Sequence, residues 1–401
     1  MPHQTVILAL DPVFAMNPRS AFRSKVKFTL VTLLFCSVLL RCGGKEDPSV
    51  SAPNPRPNPV GAGVRTVTDR VDVPWEILWG PDNFIWMTEH YGRVSRLNPD
   101  TGEQLPLLIL DDCHQRGESG LLGMALHPNF STQPYVYLVY TYQNNGGIAE
   151  RLVRYRYNGT ALTDRQVLLE NIPGNVYHDG SRLLITPQHL WMTTGDAGNP
   201  DTSQDPASLA GKILRLNLDG SAPADNPFPN RYVWSSGHRN PQGLLLHPNG
   251  QIYSSEHGPN SDDEINVIVR GGNYGWPNVL GPVNNPNEQT FAGQRAVRGS
   301  ILDWTPTIAP SDLVYYASSA IPQWQNRLLM TALKNQTLIA VTLNADGTAV
   351  TGQERYFTGQ LGRLRDICVS PDGRVFLASN GTPDGSANRF NRRIVEVLRV
   401  D

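Results

Sequence analysis

A handful of polar side chains, scattered along the chain, have types that could do chemistry together. His178 stands in YHDGSRL, Asp196 in TTGDAG, Arg239 and Asn240 in GHRNPQG, Lys334 in TALKNQ, and Arg363 and Arg365 in GRLRDI. Guanidinium forks match planar carboxylates, and a lysine adds a compact positive charge, so the set suits an anion bearing several carboxylates. Arg363 and Arg365 are spaced i, i+2, which puts both on one face of an extended segment. A histidine beside them is suited to general-base work because its ordinary pKa lies near neutrality. Taken singly, each residue has a plainer role, since a lone cation is usually solvated and a lone histidine is usually structural.

A second constellation is SSEHGPNSDDEIN, Ser254 to Asn266. Calcium takes oxygen ligands, including backbone carbonyls and carboxylates. The Gly258-Pro259 turn can present carbonyls, and Asp262, Asp263 and Glu264 can complete a shell. The alternative is an acidic turn lying in water.

Residues this far apart need a scaffold that returns to one place repeatedly. One pattern recurs: an apolar run, a Pro or Asn-Gly-type turn, then a second strand. Copies begin at Trp75, Leu121, Ser181, Gln242, Ser311 and Leu364, each offering about four short strands. Spacing of roughly 45 to 65 residues suits propeller blades with loop insertions. The predicted fold is therefore all-β, a six-bladed β-propeller, with an irregular β-sandwich as the alternative. In a propeller, loops of one face converge on the central channel, so equivalent positions in different repeats can form one site.

Bulk composition agrees. Gly (36) and Pro (32) are abundant, as a turn-rich β protein requires. A charged fraction of 17% and a formal net charge of −2 argue against a general nucleic-acid binder. GxGxxG, P-loop, HExxH and GxSxG motifs are absent, which disfavours pyridine-nucleotide, ATP and common hydrolase chemistry. Arg19, Arg23, Lys25 and Lys27 precede an apolar run, Phe28 to Leu40, of signal-peptide length and short for a membrane span. Cys42 sits where a bacterial lipoprotein carries its lipid, although Arg41 departs from the small residue usual before it. Residues 1–42 are read as a targeting segment, 43–63 as a Pro-rich tether, and 64–401 as the folded body. The expected location is exported, periplasmic or lipid-anchored at the bacterial envelope. Cys113 and Cys368 are left as a candidate disulfide pair.

The motifs GLLGMALHPNF, GKILRLNLDGSAPADNPF, GHRNPQG and GPNSDDEINVIVRGGNYGWPNV together resemble the soluble quinoprotein sugar dehydrogenases, the glucose/sorbosone and aldose sugar dehydrogenase family that uses pyrroloquinoline quinone (PQQ). The resemblance runs from Pro74 to the C-terminus. It implies a six-bladed propeller that binds PQQ and Ca²⁺ and oxidises an aldose at its C1 hydroxyl, passing electrons to an external acceptor. His178 matches the base, Asp196 the acid that orients it, and Arg239 and Asn240 cofactor contacts, with Arg239 also near the reacting oxygens. Lys334, Arg363 and Arg365 match cations that hold the cofactor, and Trp304 resembles an aromatic near cofactor and substrate. The carbonyls of Gly258 and Pro259 match ligands of the cofactor's calcium. Glu264 and Tyr274, the latter through its backbone, resemble ligands of a second, structural calcium. On this pattern Asp262 and Asp263 carry no metal role, and His257 is not the base.

One departure falls in the site. Where the family has glutamine before GLLG, this chain has Glu118, a carboxylate that could repel PQQ. Insertions around the sugar site are sparse, which implies an open rim and broad aldose tolerance. A monomer or homodimer is expected. Two other readings stay open: an extracellular ligand-binding propeller without catalysis, and a calcium-dependent lactonase, which would need no cluster of cations.

Overall fold

The computed structural model describes residues 63–381 and 392–400; the targeting segment, Cys42 and nearly all of the tether lie outside the described residues. Among the described residues, twenty-four strands form six four-stranded antiparallel sheets. Blade 1 comprises Pro74–Trp79, Ile85–Glu89, Arg93–Leu97 and Gln104–Ile109. Blade 2 comprises Leu121–Leu126, Tyr135–Asn144, Gly147–Tyr157 and Leu162–Pro173. Blade 3 is Leu183–Ile185, His189–Thr194, Lys212–Asn217 and Val233–Ser236, and blade 4 is Pro241–Leu246, Ile252–Glu256, Asp263–Ile268 and Leu302–Trp304. Blade 5 is Pro310–Tyr316, Arg327–Ala332, Thr337–Leu343 and Val350–Tyr356. The six expected repeats are thus six blades of a β-propeller. An α-helix, Pro286–Arg295, is inserted between the third and fourth strands of blade 4, capped by the Asn285 side chain on the Asn287 and Glu288 amides.

Blade 6 is built differently from its sequence repeat. Leu364–Val369, Val375–Asn380 and Arg392–Val397 supply three strands, and the outer strand is Val64–Thr68 from the other end of the chain. Arg65 fastens this closure: its guanidinium lies 2.6 Å from Glu396 Oε2 and donates to the Pro99 carbonyl at 2.6 Å. Closing the ring this way leaves no seam between the first and last blades.

The turns explain why the strands reverse where they do. In HPNG and SPDG, Gly250 and Gly373 adopt φ of +88° and +87°, which only glycine takes without cost. The flanking amides of His247 and Ser370 close the turns onto the Gln251 and Arg374 carbonyls at 2.9 Å each. The core lies between blades. Val67, Ile77, Ile85, Met87, Phe376 and Ile394 join blades 6 and 1, and Tyr253, Ile265, Leu328, Met330 and Ile339 join blades 4 and 5.

The first strand of each blade is innermost, facing the channel. The residues just before these strands therefore sit together at one channel mouth, and those just after them sit at the other. Cys113 and Cys368 are both free, the first in a loop of the former face and the second buried on the innermost strand of blade 6, so the candidate disulfide does not form.

Candidate active site

His178 precedes the innermost strand of blade 3 and Asp196 follows that blade's second strand, so both reach the same mouth. His178 Nδ1 lies 2.8 Å from Asp196 Oδ1. Asp196 is almost fully buried and held on both oxygens: Oδ1 also accepts from the Gly198 amide at 2.8 Å, and Oδ2 accepts from the Trp276 indole N–H at 2.9 Å. With Nδ1 engaged, the imidazole presents Nε2 to the opening. The segment holding it is tightly built. His178 has φ +63°, an uncommon state for a non-glycine residue. A Cβ on Gly195 would stand 1.8 Å from the His178 carbonyl oxygen, so that approach requires glycine.

Arg239 and Asn240 precede the innermost strand of blade 4. Arg239 Nη1 donates to the Gly258 carbonyl at 2.9 Å, its backbone amide donates to Glu256 Oε1, and its guanidinium lies 5.3 Å from the Trp276 ring centroid. Glu256 is itself fixed by a buried chain in which His238 bridges Glu256 Oε2 at 2.8 Å and Ser235 Oγ at 2.9 Å. Asn240 Oδ1 accepts from the Gly180 amide at 3.1 Å and the Gln242 side chain at 3.0 Å. Asn240 Nδ2 and Arg239 Nε are buried without a hydrogen-bond partner among the described residues.

Arg365 reaches Gln242 Oε1 at 2.7 Å and packs its guanidinium 5.6 Å from the Trp75 ring centroid. Burial lowers its pKa to about 10, with Glu118 opposing and Arg363 adding to the shift. The Arg363 pKa is also lowered by burial, and among the described residues its side chain has no hydrogen bond or ion pair. Lys334 is exposed, its ammonium donating to Thr307 Oγ1 at 2.7 Å.

Glu118 is the common neighbour of this set. Its Oε2 accepts from the His178 amide at 3.2 Å. Against the desolvation that would raise its pKa, His257, the His178 amide and Arg365 hold the carboxyl below the usual range. It is a carboxylate shared by Arg363, Arg365 and Arg239, the last of which also faces Asp196, Glu256 and Asp263.

Gly258, Pro259, Glu264 and Tyr274, expected around two calcium ions, all line one small cavity of about 20 Å³, room for roughly one water-sized sphere. Glu264 is buried there, accepting from the Gly281 amide at 3.0 Å and the Asn266 side chain at 2.8 Å. Burial, with Glu256 nearby, raises its pKa to about 8. Asp263 is structural. Its Oδ1 accepts the Gly258 amide at 2.8 Å, and its Oδ2 accepts the Ile308 and Ala309 amides at 2.5 and 2.7 Å. It thereby fixes the turn that presents the Gly258 carbonyl.

Trp304 corrects an expectation. It lies on the outer strand of blade 4, 6% exposed, packed between blades 4 and 5 with its indole N–H on Gln353. The outer strand faces away from the channel, so Trp304 is a core residue. The aromatic beside the dyad is Trp276, in GGNYGWPNV, which repeat spacing does not reveal because it belongs to an insertion and to no repeat. Two further histidines also lie here. His257 Nε2 meets the Pro310 carbonyl at 2.7 Å and His90 Nε2 meets the Glu118 carbonyl at 2.8 Å. Burial lowers each pKa to about 4, so both are neutral near pH 7.

A half-buried imidazole–carboxylate pair and several cations gathered at one channel mouth of a six-bladed propeller define the class of site present. Residues 71–388 match the glucose/sorbosone dehydrogenase family, and the chain belongs to that family. It is 33% identical to quinoprotein glucose dehydrogenase B of Acinetobacter calcoaceticus, over 79% of this chain and 85% of that protein. It is 31% identical to the aldose sugar dehydrogenase YliI of Escherichia coli, over 80% of this chain and 91% of that protein. The PQQ-bound aldose sugar dehydrogenase of Streptomyces coelicolor superposes with a TM-score of 0.73 at 30% identity, covering 83% of this chain and 96% of that one.

Proposed function

We propose that the protein is a PQQ- and calcium-dependent aldose dehydrogenase, oxidising the C1 hydroxyl of an aldose to the lactone. On this reading it is exported to the periplasm or envelope and delivers electrons to an external acceptor. The observation that carries the reading is the His178–Asp196–Trp276 chain set beside donors left without protein hydrogen-bond partners among the described residues, Arg239 Nε, Asn240 Nδ2 and the Arg363 side chain.

The residues present fit the cofactor. Among the described residues, Asn240 Nδ2 and Arg239 Nε are buried donors without partners, and Arg363, Arg365 and Lys334 offer charge to carboxylates. Gly258, Pro259 and Glu264 offer oxygen to Ca²⁺ around an ion-sized cavity. When bound, PQQ supplies an electrophilic ortho-quinone that accepts hydride.

The protein's part is positional and electrostatic. His178 Nε2 takes the proton of the C1 hydroxyl, and Asp196 stabilises the imidazolium that results. The Trp276 N–H and the Gly198 amide keep Asp196 turned toward His178. Arg239, anchored by Glu256 and Gly258, fixes positive charge where negative charge develops, at no reorganisation cost during reaction.

The test is direct: apo-protein supplied with PQQ and Ca²⁺ should reduce a redox dye when given aldoses. No reduction with any aldose, together with no PQQ binding, would overturn the reading. A second reading, a ligand-binding propeller without catalysis, draws on Glu118, whose carboxylate already occupies the cationic set. Glu118→Gln tests whether that carboxylate competes with the cofactor. Removing the repulsion between Glu118 and the cofactor's carboxylates should tighten PQQ binding several-fold in a fluorescence titration; the gain is modest because Glu118 is exposed and screened. Unchanged or weaker binding would count against the competition inferred here.

A further inference from the structure

Among the described residues two aromatic side chains are exposed, Tyr91 at 38% and Tyr177 at 43%. Both stand at the mouth that holds His178. Tyr91 lies in the turn after the second strand of blade 1, the end of a blade that carries Asp196 in blade 3. The Arg93 guanidinium lies 5.4 Å from the Tyr91 ring centroid. Tyr177 immediately precedes the base in the chain. Its ring centroid is 4.8 Å from that of His178, with the two planes at 79°.

The tyrosine is held from a second side. A Cβ on Gly198 would stand 2.9 Å from both Tyr177 Cε2 and Tyr177 Oη, so the ring packs where glycine leaves room. Gly198 has φ +72°, and its amide is the one that donates to Asp196 Oδ1 at 2.8 Å. Tyr177 is thus wedged between the imidazole and the loop that carries its carboxylate partner, with much of its surface still open to the mouth. One exposed aromatic is ordinary on a protein surface. A ring fixed in place, exposed and in contact with the base is a preformed binding surface. It has little side-chain freedom left to lose when another ring is laid on it.

We propose that Tyr177 is the platform on which the sugar ring lies, so that the enzyme selects aldoses in their pyranose form. The assignment rests on the dehydrogenase reading of the same site. A pyranose carries hydroxyls around its rim and C–H bonds on its faces. A face can therefore cover the tyrosine ring while polar groups of the site meet the rim. An open-chain polyol with the same hydroxyls has no such face.

The first test is dye reduction with glucose by the PQQ- and Ca²⁺-loaded enzyme. Tyr177→Ala should raise KM about five- to tenfold, with kcat within about twofold of the parent and its pH profile unmoved. Tyr177→Phe keeps the ring and should stay within about twofold of the parent in both constants. The second test needs no turnover. Saturation-transfer NMR on the loaded protein compares 1,5-anhydroglucitol, a pyranose without the C1 hydroxyl, with glucitol, an open chain. Parent and Tyr177→Phe should transfer to the C–H protons of the pyranose and only weakly to glucitol; Tyr177→Ala should lose most of the pyranose signal. An unchanged KM in Tyr177→Ala, an equal loss in Tyr177→Phe, or equal transfer to glucitol would each overturn the platform. A fall in kcat with a shifted pH profile at unchanged KM would also overturn it, by assigning Tyr177 to the His178–Asp196 pair. A parent protein that neither binds PQQ nor reduces the dye is a different failure, because it removes the dehydrogenase reading and the platform with it.

Discussion

His178→Ala is expected to lower turnover of aldoses by about 10²- to 10⁴-fold, the range for loss of a positioned general base, while leaving PQQ affinity within about twofold. The separation follows from geometry. His178 contributes a ring nitrogen to the opening and contacts Asp196 behind it, whereas the candidate cofactor contacts come from Arg239, Asn240, Lys334, Arg363 and Arg365. Asp196 should stay in place in the variant, because the Trp276 indole and the Gly198 amide still hold it. The measurement is steady-state dye reduction alongside a PQQ fluorescence titration. Turnover that survives the substitution would remove His178 from the role of base. A parallel collapse of PQQ affinity would make it a cofactor contact.

The blades are legible in the sequence because turn chemistry is local. Pro-, Asn-Gly- and Asp-Gly-type turns after apolar runs mark many of the reversals within a few residues, and the six repeats follow. The closure of blade 6 is not legible, because Val64–Thr68 pairs with Arg392–Val397 across almost the whole chain and nothing local in either segment names its partner. The site divides along the same line. His178, Arg239, Asn240 and Arg363 stand just before innermost strands, so repeat position alone brings them to one mouth. Trp276 lies in an insertion that repeat logic does not index, and Trp304 sits near a motif yet on an outer strand, where burial between blades decides its role. The single cavity lined by Gly258, Pro259, Glu264 and Tyr274 depends on how the segments around residues 258–264 and 274–281 fold against each other, which spacing does not encode.

The other large effect concerns Arg182, which no motif singled out. Its guanidinium is buried on the channel axis, 4.4 Å from the Trp75 ring centroid, between Glu76, Asp312 and Asp366 from three blades. Arg182→Met keeps much of the volume but leaves these carboxyls without their cation. Removing one partner of a buried ion pair costs about 3–5 kcal/mol, which for a domain of this size corresponds to a melting temperature lower by roughly 4–7 °C. The pH dependence identifies the cause. Burial already raises the Glu76 pKa to about 8, with Arg182 opposing the shift, and Asp366 is raised for the same reason. A carboxyl whose folded pKa lies above its unfolded value near 4.5 adds stability that is fully present below that value and is lost as pH rises through the folded pKa. Without Arg182 the folded pKa moves higher still, so these carboxyls keep their protons over a wider range and the penalty for ionising them grows. The stability gap between the parent protein and Arg182→Met should therefore be smallest near pH 5 and widen toward pH 9. Thermal denaturation of both proteins at the two pH values checks this. A gap that is constant or narrows with rising pH would assign the loss to packing around the methionine and would remove the charge argument for this network.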